Sequence, residues 1–162
     1  MPKRPPVGIS SCLLGERVRY DGGHKRNEWL VDVIGHDVDW VPVCPEVEAG
    51  FGTPREPMDL ERTAAGSIVL MTTHSRRDVT ATLKEFASRR VEALEMEDLS
   101  GHVLKADSPS CGLQDSPSRG LFADALVARF PDLPVEDERQ LADPMRRSQF
   151  VERVFAYHRH IR

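Results

Sequence analysis

Three cysteines are the residues of this 162-residue chain that are best suited to chemistry, and no others occur in it. Cys12 follows the apolar stretch 7–11, Cys44 follows the stretch 39–43, and Cys111 lies in a loop rich in serine, proline and glycine. In an open α/β sheet, ligands bind beyond the carboxyl ends of the strands, so thiols in such turns can converge although they are distant in sequence. The pattern therefore predicts a metal site with three thiolate ligands and a vacant coordination position.

Other interpretations of the cysteines fit the sequence less well. A single free cysteine is often only a small buried hydrophobe, but these three have serine, proline, glycine or charged neighbours, which suit a thiolate better. A structural zinc site usually contains a local pair of cysteines, and this chain has no such pair. Thiolates select zinc, copper(I) or iron–sulfur clusters, and three of them around a four-iron cluster leave one iron open to a substrate atom.

Length and charge exclude several classes of protein. A chain of 162 residues buries enough core to need no disulfide staples, and an odd number of cysteines suits a reducing compartment. The net charge is −4, with 22 basic and 26 acidic residues and no basic tract that would follow a nucleic-acid backbone. No stretch resembles a signal peptide or a membrane span. We therefore expect one cytoplasmic domain, residues 1–162, that is a monomer or a small homo-oligomer and binds neither a nucleic-acid polymer nor a membrane.

The elements that must position the cysteines alternate between strand and helix. The pattern predicts strands at 7–11, 39–43, 67–72, 102–105 and 133–135, and helices from Asn27, from Asp78 or Thr80, at 121–130 and at 143–160. The stretches 44–57 and 107–119 are predicted loops, and long ordered loops are usually functional. This alternation predicts a three-layer α/β fold of the Rossmann-like kind, with a mostly parallel sheet and helices on both faces.

The local motifs, taken together and in chain order, resemble those of the thiouracil desulfidase family. They are SSCLLG at 10–15, VRYDGGHK at 18–25, CPEV at 44–47, PREP at 54–57, DVT at 78–80, LK at 104–105 and SPSCG at 108–112. The resemblance implies a [4Fe-4S] cluster held by Cys12, Cys44 and Cys111, with one iron not ligated by protein. It also implies hydrolytic removal of sulfur from thiolated uracil or 4-thiouridine monophosphate, which releases uracil or UMP and hydrogen sulfide.

The same resemblance places the catalytic pair on Glu46 and Ser108. Glu46 lies two residues after a cysteine, where a carboxyl group can carry the proton that addition of water and expulsion of sulfur require. Without the resemblance, Glu46 would be interpreted as a solvated loop carboxylate and Ser108 as a turn or cap residue.

Cations are expected near three thiolates because an unpaired buried charge is costly. The candidates, which lie in or beside the cysteine loops, are Arg17, Arg19, His24, Lys25, Arg55 and Lys105. The candidates for substrate binding are Ser10, Ser11, Arg17, Arg19, His24 and Lys25. The glycine-rich stretch 21–25 is also a candidate to present backbone N–H groups to an anion.

Two other functions fit the same residues. One is a zinc hydrolase that uses the three cysteines and a metal-bound water, and the other is a non-enzymatic iron–sulfur or redox sensor. The segment 120–157 resembles a subgroup of the family whose members carry a second domain. Both a standalone desulfidase domain and a domain separated from such a partner are consistent with this sequence.

Overall fold

The computed structural model describes residues 4–113 and 118–161, so residues 114–117 of the predicted loop 107–119 lie outside the described part. The elements follow in the order β1 Pro6–Ser10, α1 Glu28–Val33, β2 Asp39–Val43, α2 Pro45–Glu48, β3 Met58–Arg62, β4 Ile68–Thr72, α3 Thr80–Glu95, β5 Gly101–Leu104, α4 Leu121–Arg129, β6 Val135–Asp137 and α5 Pro144–His160. In the described ranges, no helix combines the length and the apolar character needed to cross a bilayer.

The main sheet has four parallel strands in the order β2-β1-β5-β6. The chain passes from β1 to β2 on one side and later returns to β5 on the other side of β1. The connections that leave β1 and β5 therefore run in opposite directions, which makes the pair a topological switch point. The crevice beyond the carboxyl ends of such strands is where α/β proteins bind their ligands.

Helices cover both faces of this sheet. On one face, Ile9 of β1 and Val103 of β5 pack with Leu30 of α1 and Phe150 of α5. On the other face, the core is built from β2, β5, α3 and α4, and its buried side chains include Val43, Ala87, Val91, Leu94, Leu104, Phe122 and Leu126. The predicted three-layer α/β fold is confirmed.

His102 of β5 is buried in the core on the second face of the sheet, where Gly8 of the neighbouring strand leaves room for its ring. Its ring is completely buried and lies 5.8 Å from the ring of Phe122, measured between centroids. A Cβ atom added to Gly8 would fall 2.1 Å from Nδ1 of His102, so the neighbouring strand must carry glycine at that position. Burial lowers the pKa of His102 from 6.5 to about 3, because the charged imidazolium loses its hydration there.

Helix starts agree with the sequence patterns. Asn27 caps α1, because its Oδ1 accepts a hydrogen bond from the backbone N–H of Leu30 at 3.2 Å. Before α3, Oδ1 of Asp78 accepts hydrogen bonds from the backbone N–H and the hydroxyl of Thr80 at 3.0 and 2.6 Å. Apolar residues recur along α3 at helical spacing, and Leu83, Phe86, Ala87, Val91 and Leu94 are buried.

The structure contains two elements that the sequence pattern did not predict. The strand β3 pairs with β4 as an antiparallel hairpin that is separate from the main sheet. Its sequence, MDLER, alternates the apolar residues Met58 and Leu60 with charged ones, but two apolar residues make only a short strand signal. The short helix α2 follows Cys44 directly, within the predicted loop 44–57.

The last strand is also shifted, to Val135–Asp137 instead of the predicted 133–135. Two acidic residues of β6 are buried, which an apolar pattern cannot indicate. Glu136 is paired with Arg146 and Arg153, and Asp137 accepts a hydrogen bond from the backbone N–H of Gln140.

Candidate functional site

The carboxyl ends of β1, β2 and β5 open into a cavity of about 290 Å³. Cys12, Cys44 and Cys111 all line it, together with Glu46 and Ser108. The parallel register aligns Ser10 with Val43, so the turns after β1 and β2 begin at the same edge of the sheet. The topology therefore brings the three distant thiols to one cavity.

Each thiol is held by a different local structure. Cys12 lies in a single 3-10 turn, Ser11–Leu14, directly after β1. Cys44 precedes the first residue of α2, and its backbone N–H donates to the carboxylate of Glu48 at 2.7 Å. The backbone N–H of Cys111 donates to Oγ of Ser108 at 3.0 Å.

Burial disfavours the charged form of all three thiols. It raises the pKa of Cys12 to about 11 and also raises the pKa values of Cys44 and Cys111. The cysteines also act on one another, since the charges of Cys12 and Cys44 raise the pKa of Cys111 further. Thiolates in this cavity therefore need a positive partner, and a metal centre that displaces the thiol protons would provide one.

Positive side chains near the thiols partly offset the rise in the pKa values of Cys12 and Cys44. Lys105 is the strongest of the charges that lower the pKa of Cys12, and Arg19 acts in the same direction. Arg55 lowers the pKa of Cys44. These three of the six candidate cations line the cavity.

The donor set suits an iron–sulfur cluster. Three thiols are soft ligands, which is the chemistry that zinc, copper(I) and iron–sulfur centres prefer. Within the described ranges, no three or more His, Cys, Asp or Glu side chains are grouped so as to hold one metal ion. The three thiols line one cavity, and a four-iron cluster would take them as ligands with each thiolate on a different iron.

Glu46 is held at both carboxylate oxygens. Oε1 accepts a hydrogen bond from Nε of Arg55 at 3.0 Å, and Oε2 accepts one from the hydroxyl of Ser110 at 3.0 Å. The Glu46 side chain is 14% exposed and that of Arg55 is 8% exposed. Glu46 is therefore a half-buried, oriented carboxylate rather than a solvated loop side chain.

Arg55 also ties together two loops that enclose the cavity. One terminal nitrogen donates to the carbonyl oxygens of Val18 and Gly52, both at 2.9 Å. Its own backbone N–H donates to the carbonyl oxygen of Tyr20 at 2.7 Å. Sequence reasoning identified Arg55 only as a cation near the thiols.

Two serines of the SPSCG motif have different environments. Ser108 lines the cavity, and its Oγ accepts hydrogen bonds from the backbone N–H groups of Ser110 and Cys111 at 3.2 and 3.0 Å. Because a hydroxyl has two acceptor positions and one donor, the O–H of Ser108 remains available to donate. Ser110 is completely buried. Sequence reasoning missed Ser110, because nothing in the motif distinguishes the two hydroxyls.

A second, mostly buried ion pair joins Lys105 of the cavity lining to Glu138. Nζ of Lys105 lies 2.9 Å from Oε1 of Glu138, and the two side chains are 16% and 13% exposed. Ser10 accepts a hydrogen bond from the backbone N–H of Lys105 and also hydrogen-bonds to Cys111. Glu138 had no signal in the sequence, since it is close to the cysteines only in the folded chain.

The substrate-binding candidates divide into two groups. Ser10, Ser11 and Arg19 line the cavity. Arg17, His24 and Lys25 are exposed and lie outside its lining.

The glycine-rich stretch 21–25 already uses three of its five backbone N–H groups. The N–H groups of Gly22 and Lys25 donate to the carbonyl oxygens of Arg19 and Cys12, both at 2.9 Å. That of Gly23 donates to Oδ1 of Asp21 at 2.8 Å. These bonds remove three of the donors that the candidate anion nest would need.

Fold and site together define an α/β protein with a thiol-rich centre at the switch point of its sheet. The chain belongs to the 2-thiouracil desulfurase family, whose model matches residues 7–138. The resemblance found in the motifs is thereby confirmed.

Two similar proteins show how far the likeness extends. The chain is 35% identical over 109 residues to the uncharacterized protein YbbK of Bacillus subtilis (strain 168), over 64% of this chain and 71% of the relative. A solved structure described as the [4Fe-4S]-dependent thiouracil desulfidase TudS is 30% identical and superposes with a TM-score of 0.68. That match covers 86% of this chain and 95% of TudS.

Proposed function

We infer that this protein is a [4Fe-4S]-dependent desulfidase that removes sulfur from a thiolated pyrimidine by hydrolysis. Membership of the 2-thiouracil desulfurase family and the likeness to TudS indicate a desulfidase. The observation that carries the proposal is the single cavity lined by Cys12, Cys44, Cys111, Glu46 and Ser108.

Cys12, Cys44 and Cys111 would hold the cluster as thiolates. When bound, the cluster would supply one iron without a protein ligand, which acts as a Lewis acid toward the thiocarbonyl sulfur of the substrate. Lys105, Arg19 and Arg55 support this role, because their charges counter the cost of burying thiolates.

Glu46 and Ser108 would perform the hydrolytic chemistry. Water adds to the thiocarbonyl carbon, Glu46 takes a proton from that water, and the C–S bond breaks as the carbonyl forms. The protons of the water end on sulfur as hydrogen sulfide, so no electrons enter or leave. The free O–H of Ser108 is suited to donate a hydrogen bond to the substrate.

The walls of the cavity favour a small aromatic substrate. Val18, Tyr20 and Met58 supply apolar contact for a pyrimidine ring. The cavity of about 290 Å³ must hold the cluster as well as the substrate, which suits a base or one nucleotide and not a polymer. Arg19, which lines the cavity and has no ion-pair partner among the described residues, is suited to a phosphate, as in 4-thiouridine monophosphate.

The cellular setting is part of the same proposal. Three thiols that serve as ligands must remain reduced, which suits the cytoplasm. The partner is a small molecule, and neither a nucleic-acid polymer nor a membrane is required.

Anaerobic reconstitution tests this function. The loaded protein should be brown, hold about four irons and four acid-labile sulfides, and release sulfide with uracil or UMP from 2-thiouracil, 4-thiouracil or 4-thiouridine monophosphate. A loaded cluster with no sulfide release from any of the three compounds would favour a redox sensor. A colourless zinc protein that hydrolyses them would favour the zinc hydrolase.

A further inference from the structure

The carboxylate of Glu46 is clamped from two directions by side chains that come from different loops. Arg55 reaches Oε1 from the loop before β3, and Ser110 reaches Oε2 from the loop after β5. A carboxylate offers about four acceptor positions, so two remain free. With both oxygens tied, the carboxyl plane cannot rotate, and the free positions keep a constant direction.

We propose that Arg55 and Ser110 are positioning residues that hold Glu46 in its productive orientation, and this rests on the proposed desulfidase function. Neither residue needs to touch the substrate for this role. Ser110 is completely buried and is not part of the cavity wall. Arg55 uses Nε on Glu46, while one of its terminal nitrogens is engaged by Val18 and Gly52.

The shape of the guanidinium is essential to this arrangement. Arg55 bonds a carboxylate and two carbonyl oxygens at once, because its donors project in a rigid planar fork. An ammonium group carries the same charge at a single point. Replacement of Arg55 by lysine therefore keeps the charge but releases either Glu46 or the loops.

The two serines Ser108 and Ser110 of the SPSCG motif use their hydroxyl groups differently. Ser108 faces the cavity with a free O–H, whereas the hydroxyl of Ser110 is already used on Glu46. Loss of Ser110 should therefore matter only while Glu46 is present. Loss of Ser108 should matter with or without Glu46.

The test is a set of double-mutant cycles on the anaerobically loaded full chain with 4-thiouracil as substrate. Arg55→Lys and Ser110→Ala should each lower kcat by about 10- to 100-fold with little change in KM, because a carboxylate misplaced by a fraction of an ångström still permits binding. In a Glu46→Ala background, neither change should lower kcat further, whereas Ser108→Ala should. Full additivity with Glu46→Ala, or an effect on KM alone, would overturn the proposal.

Arg4→Lys is the matched control. Arg4 also bonds a carboxylate, of Asp39 at 2.8 Å, and two carbonyl oxygens, of Gly35 and His36, but it lies at the amino end of the sheet. It should keep wild-type kinetics. Iron content and the melting temperature of every variant separate loss of the cluster or of the fold from loss of orientation.

Crystal structures of Arg55→Lys and Ser110→Ala give a readout that does not depend on turnover. The proposal expects the Glu46 carboxylate to leave its wild-type orientation in both variants, and an unmoved carboxylate would contradict it. If the wild-type protein releases no sulfide from any thiolated pyrimidine, the desulfidase function falls. The proposed positioning of Glu46 by Arg55 and Ser110 is then tested by these two crystal structures alone.

Discussion

The inner end of the cavity and its mouth are built in different ways. At the inner end, Cys12 and Cys111 are buried and follow the adjacent central strands β1 and β5. At the mouth, Arg19 and Tyr20 belong to a loop that closes on itself through its own N–H groups. Rigid strand ends suit a cofactor, which needs fixed ligands, and a loop suits a substrate, which must enter and leave. Variants at the two ends of the cavity test this division of labour.

Loss of any one thiol should have the largest effect. Cys12→Ser, Cys44→Ser and Cys111→Ser should each fail to retain a full cluster and should lose sulfide release, because serine is a poor ligand for iron at these positions. Iron and acid-labile sulfide analysis under anaerobic conditions measures the first effect. A variant with wild-type iron content and activity would remove that cysteine from the ligand set.

Glu46→Ala should lower the rate of desulfuration without changing the amount of bound cluster. The variant should stay brown with unchanged iron content, because Glu46 is not a proposed ligand. Its kcat should fall by roughly 10²- to 10⁴-fold, the usual contribution of a general acid or base. Stopped-time sulfide assays measure the rate, and a wild-type rate would exclude Glu46 from the mechanism.

Acid should lower the free energy of unfolding through His102, which is buried on β5. Between about pH 6.5 and pH 3, the folded protein keeps this ring neutral while the unfolded chain protonates it. Stability should therefore fall as the pH falls through this range, by at most about 1.4 kcal/mol per pH unit for one proton.

Urea unfolding at several pH values measures this dependence in the wild-type protein and in His102→Leu. The leucine variant should show a smaller loss of stability with acid, since it has no imidazole to protonate. Equal slopes for the two proteins would show that His102 is not the group responsible.

Arg19→Ala should have the smallest effect and should act at the mouth. It should raise KM for 4-thiouridine monophosphate by about 2- to 5-fold, as expected for loss of one solvent-accessible charge contact, and leave KM for 4-thiouracil nearly unchanged. Cluster content should not change. Equal effects on the nucleotide and the free base would reject a phosphate role.

Arg17→Ala is a matched control for Arg19→Ala. Arg17 is close in sequence to Arg19 but is exposed and lies outside the cavity lining. It should therefore change neither KM value. If the two variants behave alike, general positive charge on the loop, not a defined contact at the mouth, is what attracts the nucleotide.

Much of the fold could be predicted because it follows from local patterns. The strand β2, the start of α1 at Asn27 and the inward face of α3 all have period or capping signals within a few residues. The strand β3 was missed because only Met58 and Leu60 carry its alternating pattern, which is too short to distinguish from a loop. The position of β6 was misjudged because buried Glu136 and Asp137 are paired only in the folded chain.

The residues with the chemistry for the site, the α/β class and the family resemblance follow from the amino-acid sequence alone. These depend on residue type and local order, which the linear chain carries completely. The folded structure adds that Ser110 and Arg55 hydrogen-bond to Glu46, that Glu138 pairs with Lys105, and that three N–H groups of the stretch 21–25 are already engaged. The contact between Ser110 and Glu46 spans 64 residues of the chain, and the pair of Lys105 and Glu138 also joins distant segments. The other contacts are closer in sequence, but they form only when the loops adopt their folded conformations.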